Sequence, residues 1–188
     1  MGCTTGECER HDGYGRWTKV NLTWRVNEQT LPILLTSSYV ESAFKEALHN
    51  ISKACGLKFS EASPGDDQDL ELEFSRIDGA GGVLGRAYYP RPNNPEAGTI
   101  ILDSLERWSY AKLVFVLMHE IGHALGLEHS DDMDDVLYSQ AIAPYLRDYS
   151  ENDKKRLSAL YGPSWMAPPR PKVSRWRAFL RLFFGWGK

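Results

Sequence analysis

The chain has 188 residues, 42% of them apolar and 25% charged, with a net charge of −3. That length holds one domain with its own core, and no apolar run is long enough to span a bilayer, which excludes a transmembrane protein. Charge is uneven: residues 168–188 carry six basic side chains and no acid, leaving 16 basic against 25 acidic, or −9, over residues 1–167. An acidic body excludes a nucleic-acid-binding core, because phosphates need a basic face.

Residues 1–15 are polar and lack the apolar stretch of a signal peptide, so they read as a flexible leader. Cys3, Cys8 and Cys55 are too few and too irregular for a disulfide framework, and Cys55, in an apolar stretch, reads as core. Val20, Leu22, Trp24 and Val26 alternate with polar residues as a half-buried strand does. Ser38-Tyr-Val-Glu41 reads as a capping box opening a helix over 38–53, whose Val40, Phe44, Ala47 and Ile51 fall at helical spacing. Leu57–Phe59 and the alternating Leu70, Leu72 and Phe74 predict two more strands. The glycines from Gly79 to Gly82 form a loop into a strand over Val83–Tyr89, closed by Pro90. After a Pro/Asn/Gly-rich loop, Thr99–Leu102 is a short strand.

A heavily apolar helix is predicted over Tyr110–Leu125, stopped by Gly126. Ser150 caps a last helix over 151–161, ended by Gly162-Pro163. Strands early and helices late predict an α+β domain, with the apolar helix under a twisted sheet.

The chemistry lies in His119-Glu-Ile-Gly-His123-Ala-Leu-Gly-Leu-Glu-His129. On a helix His119 and His123 stand one turn apart on one face, so both imidazoles can meet one metal ion. Gly126 lets the chain reverse and bring back His129. Three nitrogen ligands leave zinc one open position, the mark of a catalytic rather than a structural site, and Glu120 stands ready to hold an activated water.

HEIGHALGLEHS resembles the zinc motif of the matrixins, the matrix-metalloproteinase branch of the metzincins. The likeness runs over roughly residues 16–162: RWTKVNLTWRV resembles the family's first strand, GAGGVLGRAYYP its substrate-edge strand and SENDKKRLSALYGP its closing helix. The resemblance implies a zincin-like fold, with a five-stranded mixed sheet and three helices, and a secreted, monomeric zinc endopeptidase. It implies one catalytic zinc on His119, His123 and His129, with Glu120 as general base. The polypeptide substrate is expected to lie along Leu84 and Gly85. Its residue after the scissile bond is expected to enter an apolar pocket walled by Val136–Tyr145, including Leu137 and Tyr138.

The sequence departs from the family at several points. Leu137 stands where the family has the methionine of a tight turn below the metal. The positions matching a second, structural zinc are Glu71, Glu73, Arg86 and Ile101; an arginine and an isoleucine cannot ligate zinc, so that site is expected to be absent. Asp78, Gly79, Gly81 and Val83, with Asp103 and Glu106, resemble the family's calcium loop, so calcium is expected there. The pro-segment that blocks zinc has no counterpart.

Beyond residue 162 a Pro-rich linker leads to a basic, aromatic segment. Trp176, Phe179, Leu180 and Phe183 recur at helical spacing among arginines, so residues 174–188 read as a peripheral membrane contact or a docking helix. The competing reading of the chain is a non-catalytic zinc module held on a membrane or a partner by that tail.

Overall fold

The computed structural model describes residues 15–141, 144–146 and 148–164; the leader to residue 14 and the basic aromatic tail lie outside them. Five strands form one sheet in the order β2-β1-β3-β5-β4. They are β1 (Asn21–Val26), β2 (Lys58–Glu61), β3 (Leu70–Ser75), β4 (Gly85–Ala87) and β5 (Thr99–Asp103). β1 is parallel to β2 and β3, and β3 to β5, whereas β4 runs antiparallel to β5 at the edge. Three helices complete the domain: α1 (Ser37–Ala54), α2 (Tyr110–Ala124) and α3 (Glu151–Tyr161). This is the α+β, five-stranded mixed architecture expected of a metzincin.

The alternation read in the sequence is the alternation of burial. Leu22, Trp24 and Val26 from β1 and Leu70, Leu72 and Phe74 from β3 face the core, while the residues between them are only half-buried. α1 covers this face with Val40, Phe44, Ala47 and Ile51, and the Trp24 and Phe44 rings meet edge to face at 5.2 Å. α2 packs against α1 and against β4 and β5. Every residue of α2 from Leu113 to Ala124 is buried, so it is a core helix. Cys55 is buried, as read, and its thiol donates to the Ile51 carbonyl at 3.4 Å.

Three boundaries differ from the sequence reading. α1 is capped by Thr36, whose hydroxyl accepts the Tyr39 amide at 3.3 Å. Ser38 lies inside the first turn, and Glu41 bonds Ser37 and Lys45 instead of closing a box. β2 begins at Lys58, because Leu57 is withdrawn wholly into the core and the first ladder bond runs from the Lys58 amide to Val20. The strand expected over Val83–Tyr89 shortens to Gly85–Ala87. Its start is held by the Asp78 carboxylate on the Val83 amide; past its end Tyr88 still bonds Thr99 and Gly98 before Pro90, which has no N–H to pair.

α2 ends in a Schellman arrangement. The Leu127 amide bonds the Gly122 carbonyl at 2.9 Å and the Gly126 amide bonds His123 at 2.8 Å, with Gly126 at φ +98°. A Cβ at Gly126 would lie 2.5 Å from the Gly15 carbonyl oxygen, so the left-handed backbone and the lack of space both demand glycine. Gly126→Ala should destabilise the domain by about 1–3 kcal/mol from backbone strain alone; an unchanged melting temperature would show that the turn is not constrained in this way.

Candidate metal centre

The buried α2 delivers His119 and His123 one turn apart, and the reversal at Gly126 returns His129 to them. Ring centroids are separated by 4.7 Å (His119–His123), 4.7 Å (His123–His129) and 5.3 Å (His119–His129). One nitrogen from each ring lies within 4.8 Å of the other two, and among the described residues this is the group of side chains placed to hold a metal ion.

The hydrogen bonds decide what those nitrogens can do. His119 Nδ1 is 2.7 Å from the Val136 carbonyl and His123 Nδ1 is 2.7 Å from the Leu127 carbonyl. A carbonyl oxygen only accepts, so each Nδ1 carries the proton and each Nε2 is left with a bare lone pair. Those two Nε2 atoms face each other at 3.0 Å. Two acceptors that close repel unless a cation lies between them, and the third ring adds a buried Nε2 with no hydrogen-bond partner among the described residues. The donor set therefore fits a metal that takes neutral imidazole, and zinc suits three such nitrogens.

Electrostatics agree. Burial pushes the His119 pKa down to about 4 and holds His123 well below the ordinary imidazole value; His129, less deeply placed, is lowered too. For His123 and His129 the Arg156 guanidinium adds to the effect. All three rings are therefore neutral at pH 7, the form a metal requires.

Glu120 is 1% exposed and follows His119 on α2. Its Cγ and Oε1 lie 3.1 Å from where a Cβ on Gly85 would sit. A Cβ at that position would press on the carboxylate, so glycine leaves it room beside the edge strand.

Leu137 is fully buried, and its Cδ atoms lie 3.0 Å from the position a Cβ on Gly122 would take. The residue in the turn thus packs under the helix against Gly122, one residue before His123, a place that leucine fills with nearly the volume of methionine. Val136, also fully buried, uses its carbonyl to orient His119. Neither side chain lies on an open substrate surface, and Tyr138 is half-buried beside them. A narrow cavity beside the ligands is lined by Leu84, Phe115, Val116, His119, Glu120, Ser139 and Ala141. Leu84, Ser139 and Ala141 come from segments the sequence assigned to substrate; Phe115 and Val116 it missed, although they stand four and three residues before His119 on the same helix.

The sequence also missed the groups that brace the centre. The Asp153 carboxylate accepts the Val136 amide at 2.7 Å. Asp135 accepts from Ser130, Ser150 and Asn152. Arg156 donates to the Glu128 carbonyl at 2.5 Å. Tyr89 Oη lies 3.1 Å from His123 Nδ1. The serine cap and the early acids of α3 were visible as helix signals, but nothing local told which distant loop they hold.

The other expected sites are placed as follows. Arg86 pairs directly with Ile101 across β4 and β5, and Glu73 with Ile101 across β3 and β5. A guanidinium and a hydrocarbon thus occupy half of the second zinc's positions, a set that does not fit that ion. In the glycine loop, Asp103 is filled by the amides of Ile77, Asp78, Gly79 and Leu105, Asp78 by that of Val83, and Glu106 by that of Gly81 and by Lys112.

Comparison with known proteins follows the same line. The family model described as Matrixin matches residues 16–162. The chain belongs to the matrixin family. It is 31% identical over 170 residues to stromelysin-3 of Mus musculus, covering 84% of this chain and 34% of that protein. It is 32% identical over 164 residues to matrix metalloproteinase-26 of Homo sapiens (80% and 61%) and 32% identical over 164 residues to interstitial collagenase of Sus scrofa (81% and 34%). This matrixin therefore spans between about a third and three fifths of the length of these relatives. Among the described residues no helix is long and apolar enough to cross a membrane.

Because the three rings are buried neutral, the metal-free domain should lose stability in acid. The unfolded chain takes up protons as pH falls through 6.5, whereas folded His119 resists until about 4. The unfolded state then binds more protons, and stability drops across that window. Melting temperatures of chelator-treated protein should fall steadily from pH 7.5 to 5; a flat profile would mean that the rings are not held neutral in the fold.

Proposed function

We propose that this matrixin is a zinc-dependent endopeptidase that cleaves extended polypeptides. The observation that carries the reading is the pair of proton-free Nε2 atoms held 3.0 Å apart, with a third buried imidazole beside them and a carboxylate on the same helix. His119, His123 and His129 would hold zinc through three nitrogens, the number of protein ligands that a catalytic zinc uses. When bound, zinc supplies Lewis acidity toward the scissile carbonyl and makes a water acidic enough to attack near neutral pH.

Glu120 takes the proton of the attacking water and returns it to the leaving amine, which must depart as a neutral group. Its near-complete burial against Gly85 keeps bulk water from competing for the carboxylate. β4 is the last strand of the sheet, with no further strand on its outer side among the described residues. An extended peptide running antiparallel to Gly85–Ala87 would add a strand there and bring its scissile bond beside the histidines. The non-catalytic alternative makes no use of Glu120, whose placement favours the enzyme.

The cavity beside Glu120 would receive the residue after the scissile bond. Its interior amounts to about 10 Å³, room for little more than a water. Phe115 is 3% exposed, and its ring lies 5.7 Å from that of Tyr145, inclined by 34°. Phe115 lines the cavity and, backed by Tyr145, would limit its depth, so the preferred residue is a small apolar one.

Glu120→Gln should keep one zinc per chain by metal analysis while turnover of quenched peptides falls about 10²- to 10⁴-fold; His123→Ala should lose the zinc as well. Full zinc with no cleavage of any peptide by the unmodified chain would instead support the non-catalytic reading. On a peptide library, Phe115→Ala should raise kcat/KM for leucine or methionine after the scissile bond by about tenfold or more, leaving alanine little changed. A wild-type preference for bulky residues there would refute the closed pocket.

A further inference from the structure

The glycine loop 78–83 and the residues after β5 hold three acids, Asp78, Asp103 and Glu106, and the resemblance led us to expect calcium among them. The side chains around them offer a different cation. Asp103 is fully buried, and its Oδ2 accepts three successive amides, Ile77 at 3.1 Å, Asp78 at 3.0 Å and Gly79 at 2.9 Å, while Oδ1 accepts Leu105 at 2.7 Å. Both Asp78 oxygens lie 3.0 Å from the Val83 amide. Glu106 Oε1 accepts the Gly81 amide, and Oε2 lies 2.7 Å from Lys112 Nζ.

Calcium needs six to eight oxygen lone pairs converging on one point. Here each of the three carboxylates is already engaged by backbone N–H groups, and Glu106 by an ammonium as well. Amide hydrogens are the positive ends of their dipoles, so the surroundings of Asp103 already supply the charge that a cation would. Among the described residues, the side chains drawn together closely enough to hold a metal ion are the three histidines.

Lys112 is well placed for this work. It stands in the first turn of α2, seven residues before His119, with side-chain exposures of 14% for the lysine and 5% for Glu106. Its ammonium also lies 5.1 Å above the Trp108 ring, whose indole N–H donates to the Asp103 carbonyl at 3.0 Å. The charge is thus held by a carboxylate and an aromatic face at once. Burial alone would raise the Glu106 pKa, yet the Lys112 and Gly81 bonds outweigh it and hold the carboxyl below its ordinary range.

We propose that Lys112 is the built-in cation of this loop: its ammonium, bridging Glu106 to α2, closes residues 78–83 against β5 and takes the place of calcium. One consequence is that the loop before the edge strand is tied directly to the helix that carries the metal ligands. The inference is independent of peptidase activity, since it concerns the stability of the domain and its response to an ion.

The test uses the full chain in calcium-stripped, zinc-containing buffer, with calcium chloride as the probe and magnesium chloride as the ionic-strength control. At 10 mM calcium the melting temperature of the unmodified chain should move by less than about 1 °C, whereas an ion bound a hundredfold above its Kd would raise it by about 5 °C or more. Lys112→Met keeps the hydrocarbon stem and removes the charge; it should melt about 4 °C or more below the parent in calcium-free buffer. Should the variant fail to fold, the calcium response of the unmodified chain still decides. A calcium-specific rise in the unmodified chain, or a Lys112→Met variant as stable as the parent, would overturn the proposal.

Discussion

Two backbone carbonyls govern this molecule. The oxygens of Val136 and Leu127 each accept a hydrogen bond from an imidazole Nδ1–H at 2.7 Å, and by doing so they fix both tautomers and aim both Nε2 lone pairs at one point. The opposed lone pairs, 3.0 Å apart, are an arrangement the fold must force on the side chains. Much of the surrounding structure can be read as the means of forcing it.

Each carbonyl is itself held. The Leu127 amide is locked to Gly122 by the helix-ending turn, and the Val136 amide is locked to the Asp153 carboxylate on α3. Between them, the segment after His129 is drawn closed by the Ser130 amide on the Leu137 carbonyl at 2.8 Å. Asp135 gathers three side-chain donors from both ends of this arrangement. Burial would raise its pKa, but those donors prevail and keep it below the ordinary carboxylate range. Asp153 differs: burial dominates, reinforced by the Asp135 charge, and its carboxyl is raised. One acid is stabilised as an anion at the surface of the brace, and the other carries the cost of sitting beneath it.

The ligand triad was legible in the sequence because a helix converts spacing into direction. His119 and His123 must share a face, and a glycine at position 126 must break the helix; no tertiary knowledge is needed for either statement. The core was legible for a similar reason, since β1 and β3 alternate in burial as their residues alternate in polarity. The cap at Thr36 was misplaced because two adjacent serines follow it, and any of the three could start a helix. The edge strand was overextended because propensity cannot see the Asp78 carboxylate that takes the Val83 amide. The bracing by Asp135, Asp153, Arg156 and Tyr89 was invisible for a stronger reason: each contact joins segments whose meeting is decided by packing. The calcium expectation rested on the glycine loop and its three acids; that Lys112 stands beside Glu106 is visible only once α2 is folded.

The two flanks of the domain converge on one place. The Trp17 indole donates to the Ala124 carbonyl at 3.0 Å, the Tyr161 hydroxyl to Leu125 at 2.6 Å, and Arg16 to Leu160 at 2.8 Å. Segments 144 residues apart thereby clasp the turn that lies between the second and third ligands. Tension arriving along either flank is felt first at that clasp, only a few residues from His129. Whatever is joined to this domain on either side therefore has a mechanical handle on the geometry of its imidazoles.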